Sequence, residues 1–140
     1  MYDARKHICF NLGRVMRRVY DHYERRLEPF GLTVPQYFVF NALWMGDGIS
    51  IGELSERVYL NSSTLTGIID RMERSSYVER RDNPDDRRGI LIFLTPKARE
   101  LGDRILEFAD ELDIALKQPF SQQEMDVFES VLRKLAETRD

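Results

Sequence analysis

Two short segments hold the side chains best placed to do chemistry. In Asn61-Ser62-Ser63-Thr64-Leu65-Thr66, four small hydroxyl side chains follow an Asn able to cap a helix. Such hydroxyls donate to or accept from base edges and phosphates without adding bulk, and the free N–H groups at a helix start favour a phosphate. Arg71, lower on the same helix, has the reach for a phosphate or a guanine. The tetrapeptide Asn61-Ser62-Ser63-Thr64 is also an ordinary helix start, where its chemistry is capping. The second segment, Asp82 to Gly89, holds Asp86, Arg87 and Arg88 in a turn-rich tip. A charged tip is ordinarily a solvated turn, but a paired Asp and Arg on a protruding hairpin can hold a guanidinium out for a narrow minor groove. The two segments in this order are far more specific than either alone.

Other chemistries lack their residues. The chain has no Gly-rich phosphate loop, no nucleophile elbow and no cluster of His with acids, so an enzyme is not expected. His7 and Cys9 lie two apart and His22 is distant, whereas a metal site needs three or four convergent ligands; neither metal nor cofactor is expected. Cys9 is the single cysteine and cannot form an internal disulfide. No apolar run approaches the roughly 18 residues of a membrane span. The N-terminus does not read as a secretory signal, and a cytoplasmic location is expected.

The 140 residues predict a single domain with no linker or repeat. The net charge of −3 opposes nucleic-acid binding, yet 17 of the 21 basic residues are Arg, whose planar fork suits phosphates and base edges. Contacts from a few placed Arg residues are therefore expected, not a broad basic field.

The elements that must position these groups follow from periodicity. Residues 4–28 predict a long helix whose stripe runs through Cys9, Leu12, Met16, Val19, Tyr23 and Leu27, ended by Pro29 and Gly31. Thr33 and Gln36 form a capping box for a strongly apolar second helix. Ser50 and Glu53 form another for a short helix over 51–58, and Asn61 caps a helix to about Ser75. Residues 77–81 and 90–94 predict two strands around the turn-rich tip. Thr95-Pro96 starts a helix to about Lys117, and Ser121 and Glu124 cap a last one. The expected fold is mainly α with a small β-hairpin: a winged helix-turn-helix lobe over 32–95, with helical regions 1–31 and 96–140 whose stripes exceed what a small core needs.

Two short helices joined by a tight turn and followed by a hairpin place the second helix in the major groove. Ser62, Ser63, Thr64, Thr66 and Arg71 are then the expected readers, with Asp86, Arg87 and Arg88 at the wing. A winged helix used for protein contacts, without DNA, is the alternative. Nearly the whole chain resembles the MarR (multiple antibiotic resistance regulator) family. The carrying residues are Leu32 to Tyr37, Ile51-Gly52-Glu53-Leu54, Leu60 to Thr66, Arg71-Met72-Glu73-Arg74, Asp86-Arg87-Arg88 and Leu94-Thr95. The resemblance implies that Asp86 pairs with Arg88, and that the Arg enters the minor groove. It also implies a homodimer built from the terminal helices, on pseudo-palindromic double-stranded DNA, usually repressing a nearby gene.

Two kinds of signal remain open. Ile8-Cys9-Phe10 resembles the sensing-cysteine segment of the organic-hydroperoxide-resistance regulators, and Tyr23 falls where one thiolate-holding tyrosine sits; the second such position is Val34. Cys9 on an apolar stripe also reads as a small core hydrophobe. The family otherwise often binds small aromatic anions between the first, second and fifth helices. Tyr20, Tyr37, Phe38, Phe40 and Trp44, with Arg14 or His22 for the anion, are the candidate lining, although an aromatic cluster at helical spacing is also what a core looks like.

Overall fold

The computed structural model describes residues 1–138. Helix α1 (Ile8–Leu27) and α2 (Val34–Trp44) precede a two-residue strand β1 (Ile49–Ser50), α3 (Ile51–Val58) and α4 (Ser62–Arg74). Strands β2 (Val78–Asn83) and β3 (Asp86–Leu94) follow, then α5 (Pro96–Lys117) and α6 (Gln122–Glu137). The chain divides into two compact units, Met1–Phe108 and the residues from Ala109 onward.

Helix starts follow local chemistry closely. Capping boxes close at Thr33–Gln36, Ser50–Glu53 and Ser121–Glu124. Asn61 caps α4 through Thr64 N–H, and Thr95 Oγ1 accepts from Ala98 N–H at the start of α5. The N-terminal helix differs from expectation. Residues Ala4–Lys6 form a separate 3-10 turn capped by Asp3, and extended His7 separates it from α1. Asp3 and the Asn11 side chain, which donates to the Arg5 and His7 carbonyls, supply local bonds that compete with a continuous helix.

In the first unit, α2 is apolar on nearly all sides and forms the centre, with seven of its 11 residues buried. Leu27 of α1, Leu54 of α3, the α4 face of Leu65, Ile68, Ile69 and Met72, and Val78, Ile92 and Leu94 of the sheet join the same core. Ala98 and Ile105 of α5 are buried too. Gly102 is also buried, facing the Trp44 ring so closely that a Cβ there would lie 2.1 Å from two ring carbons.

The sheet has three antiparallel strands in the order β1-β3-β2, one more than the expected hairpin. β1 is too short to leave a periodic signal; pairing Ile49 with Ile92 and Ser50 with Leu91 defines it. β2 and β3 also run into the segment expected to be loop, leaving only Pro84 and Asp85 as the turn.

In the second unit, Lys117 pairs with Asp113 at 2.8 Å and Glu129 at 3.5 Å. Val127, Phe128, Val131, Leu132 and Leu135 of α6 are exposed. The N-terminal half of α1 likewise exposes Ile8, Phe10, Leu12, Val15 and Met16.

The turn between α3 and α4 stores backbone strain. Tyr59 adopts a left-handed conformation (φ 56°, ψ 34°), and its side chain is 93% exposed. A non-glycine residue is disfavoured there, and this side chain offers no packing in return. Tyr59→Gly is expected to raise stability by about 0.5–1 kcal/mol, read as a higher urea midpoint at unchanged m-value.

Candidate nucleic-acid interface

The start of α4 is a compact hydroxyl array. Asn61 Oδ1 accepts from Thr64 N–H at 2.8 Å and from Ser63 Oγ at 2.9 Å. Thr66 Oγ1 donates to the Ser62 carbonyl at 2.8 Å. Among the described residues, the Ser62 and Thr64 hydroxyls take no intramolecular hydrogen bond, so they are free to meet a ligand. Because Leu65, Ile68, Ile69 and Met72 face the core, helical periodicity turns Ser63, Gly67, Asp70 and Arg74 directly outward, with Thr66 and Arg71 at the flanks.

The wing tip is shaped by side chains bonding to backbone. Asn83 Oδ1 accepts from Asp85 N–H at 3.0 Å, and Asp86 Oδ1 from Arg88 N–H at 3.0 Å. The pairing implied between the Asp86 carboxylate and the Arg88 guanidinium is thus replaced here by a bond to the Arg88 backbone. The ladder steps from Asp82↔Ile90 to Asn83↔Asp86, which leaves Arg87, Arg88 and Gly89 without cross-strand partners. This bulge carries Arg87 and Arg88 as exposed side chains at the tip. The rest of the wing is short of apolar cover: Arg81 lies 4.2 Å from the centre of the Phe93 ring.

Three contacts absent from the sequence reading fix these elements together. Arg80 of β2 donates to Asp70 of α4 at 2.6 Å and to Glu73 at 2.9 Å, with its backbone N–H on Glu73 at 3.3 Å. Burial alone would lower the Arg80 pKa, but the hydrogen bonds to Asp70 and Glu73 outweigh it and hold the guanidinium above its ordinary value. At the base of the wing, Asp47 Oδ2 accepts from Leu94 N–H at 2.9 Å and from Arg99 of α5 at 2.6 Å. Arg57 of α3 donates to the Gly46 carbonyl at 2.7 Å and so caps the end of α2. A signal for the first contact existed: Asp70 and Glu73 stand three apart on the outward side of an amphipathic helix, a spacing that suits one shared cation.

The expected sensing residues are dispersed. Cys9 is exposed near the start of α1. Tyr23 is buried and packs on His22, Tyr37 and Phe38 at centroid distances of 5.4, 4.6 and 6.1 Å. Fourteen residues of helix put about 21 Å of axial rise between the two, so they do not meet within one chain. The expected effector lining is mostly self-filling. Tyr20 meets Phe38 at 6.3 Å, Tyr37 meets Phe38 at 6.0 Å, and Phe40 stacks on Trp44 at 5.8 Å. His22 Nε2 is 3.0 Å from the Phe108 carbonyl, and Arg14 is exposed. An open groove of roughly 600 Å³ lies at the corner between α1 and α2, bounded by Glu24, Arg25, Glu28 and Thr33, and it shares only Tyr20 with the expected set.

Helix pair, outward hydroxyl helix and three-stranded wing together define a winged helix-turn-helix DNA-binding protein. The MarR family profile matches residues 32–90. The HTH-type transcriptional regulator YsmB of Bacillus subtilis (strain 168) is 34% identical over 109 residues, covering 78% of this chain and 75% of that protein. The organic hydroperoxide resistance transcriptional regulator of the same strain is 29% identical over 131 residues, 94% of this chain and 88% of that one. The HTH-type transcriptional regulator TtmR of Methylorubrum extorquens (strain PA1) is 43% identical over 90 residues; that match spans 64% of this chain but only 42% of the longer relative. The PcaV transcriptional regulator from Streptomyces coelicolor, solved in complex with its natural ligand, superposes with a TM-score of 0.87 at 25% identity, over 100% of this chain and 99% of that one. The chain belongs to the MarR family: it is a DNA-binding regulator of transcription and not an enzyme. No helix among the described residues is long and apolar enough to cross a membrane.

Proposed function

We propose that the chain acts as a homodimeric repressor that binds a pseudo-palindromic operator and releases it in response to a chemical signal. In this reading residues 32–95 are the DNA-binding lobe, and 1–31 with 96–140 form the dimerisation region of a single regulatory domain. The observation that carries it is the pairing of two exposed elements: the free hydroxyls of Ser62 and Thr64 on α4, and the bulged Arg87-Arg88 tip. Ser62, Ser63, Thr64, Thr66 and Arg71 meet the major groove, while Asp86 shapes the tip that sends Arg87 and Arg88 to the minor groove. The exposed apolar residues of α1 and of α6 supply the surface a second copy would cover. Dimerisation doubles the phosphate contacts of a chain whose net charge is −3.

The test is operator retention by purified protein as a function of salt, with the operator taken from a genomic-fragment selection. Half-sites are expected about one helical turn, roughly 10 base pairs, apart. Arg88→Ala is expected to lower affinity about tenfold and the magnitude of the salt slope by about one; Ser63→Ala lowers it less. If both variants keep wild-type affinity, the winged helix is a protein-interaction module instead.

Two signals are each supported by a separate observation. Exposed Cys9 and the organic hydroperoxide resistance regulator among the relatives favour oxidation, in which the thiolate attacks a peroxide O–O bond, becoming a sulfenic acid and releasing an alcohol or water. The likeness to a ligand-bound regulator favours a small-molecule effector; the aromatic cluster of Tyr20, Tyr37, Phe38 and Trp44, with His22 beside it and Arg14 as anion partner, suits an aromatic one. That ligand requires the aromatic cluster to open. Peroxide is expected to release operator from wild type and to spare Cys9→Ser. Release by phenolic acids, with peroxide acting equally on both proteins, would assign the signal to the aromatic site.

A further inference from the structure

Gly67 occupies the middle of the outward face of α4, one turn below Ser63 and one above Arg71. Glycine in a helix interior destabilises it relative to alanine, because it loses more backbone freedom on ordering. Such a residue is usually explained by close packing within the fold, and the structure removes that explanation. A Cβ built on Gly67 meets only one atom within 4 Å, Nη1 of Arg71 at 3.8 Å, which is ordinary contact with the mobile end of an exposed side chain. The contrast with Gly102 is direct, since there a Cβ would collide with a packed indole. The backbone gives no reason either, because Gly67 lies within a continuous α-helix and has no positive φ. Nothing among the described residues requires that position 67 lack a side chain, and the cost of the glycine is left to be explained from outside.

We infer that Gly67 is a specificity-determining notch, a bare stretch of recognition helix that lets base edges in the major groove approach the α4 backbone. This rests on the reading of α4 as the groove-entering helix. The notch lies between the hydroxyls at the helix start and Arg71, whose guanidinium reaches across it. A side chain at 67 would stand between the helix and the bases, lifting Ser63 and Arg71 from their contacts by more than the few tenths of an ångström a short hydrogen bond tolerates. The wing's contacts in the minor groove would be much less affected. The loss would therefore fall on operator selectivity and not on general DNA affinity.

Gly67→Ala tests this because fold and function are expected to move in opposite directions. Thermal unfolding should shift upward by roughly 3 °C from the gain in helix propensity. Operator affinity should fall at least tenfold, while affinity for unrelated duplex DNA stays within about twofold, so the specificity ratio collapses. Gly67→Ser should give the same loss with a smaller thermal gain. A warmer midpoint with unchanged operator affinity would overturn the inference and leave the glycine as merely tolerated. A lower midpoint would overturn it as well, by showing that the fold needs the glycine. Arg88→Ala in the same assay separates the levels. If it weakens binding while Gly67→Ala does not, only the notch is wrong; if wild type shows no operator selectivity, the recognition-helix reading and the notch fall together.

Discussion

Replacing Arg80 by alanine is expected to lower operator affinity by between ten- and a hundredfold although Arg80 itself need not touch DNA. The reason lies on α4. Asp70 is a carboxylate on the outward face of the helix proposed to meet DNA, a polyanion, and Glu73 stands one turn on. Arg80 neutralises both from β2, with hydrogen bonds of 2.6 and 2.9 Å. The Arg80 side chain is only 23% exposed, but Asp70 and Glu73 are 52% and 43% exposed, so shielding from solvent and salt is confined to the guanidinium end of each pair. Removing the guanidinium leaves two like charges three residues apart, aimed at phosphates, and frees β2 from the helix it is registered against. Together the two losses are worth about 1.4–2.8 kcal/mol, from unpaired charge-assisted hydrogen bonds and from like-charge repulsion at the interface. Fold stability should fall by a similar amount, visible as a lower urea midpoint. The double variant Arg80→Ala with Asp70→Asn separates the two causes: it should recover much of the DNA affinity, since it removes the exposed charge, but not the wing anchoring. Wild-type affinity in Arg80→Ala would show that wing and helix hold their places without this contact.

The second large effect concerns the fold. Gly102→Ala is expected to destabilise the protein by about 2–3 kcal/mol, against the usual gain from placing alanine in a helix. The added methyl would sit 2.1 Å from Cη2 and Cζ3 of Trp44. Trp44 cannot retreat freely, because its ring stacks on Phe40, which is itself fully buried at the centre of α2. Either α5 moves away from α2 or the indole leaves its stack. Trp44 is the single tryptophan, so its fluorescence reports this site alone. A changed emission maximum and a lower urea midpoint are expected, with partial rescue by Trp44→Leu, which clears the space. Unchanged stability in Gly102→Ala would mean that the indole repacks without cost.

These two glycines show how far a sequence can be read. Gly67 and Gly102 both lie inside amphipathic helices and look alike in one dimension. Only the placement of α5 against α2 shows that one is required by packing, and only the ordinary 3.8 Å contact with the Arg71 side chain at the other shows that it is not. The candidate site divides in the same way. The hydroxyls of α4 and the Arg pair at the tip were legible because they follow short-range rules: a cap, a helical period, a turn. Arg80 was not, since its partners lie ten and seven residues away on a different element, and no local rule couples β2 to α4.

The elements and their order were written in the chain itself. Capping boxes at Thr33, Ser50 and Ser121, the Asn61 cap and the apolar periodicity each act within a few residues, where backbone hydrogen bonding and side-chain burial decide the outcome. The tertiary structure decided what depends on distant partners. It added β1, which exists only because β3 lies beside it. It tightened the hairpin to a two-residue turn and converted the expected Asp86–Arg88 pair into a carboxylate-to-backbone bond that leaves the guanidinium outward. It set Tyr23 in an aromatic cluster away from Cys9. A hydroxyl-rich helix start followed by an Arg-tipped wing was visible in the residues. That the two are fastened through Arg80 was decided by a contact which forms only when the chain folds back on itself.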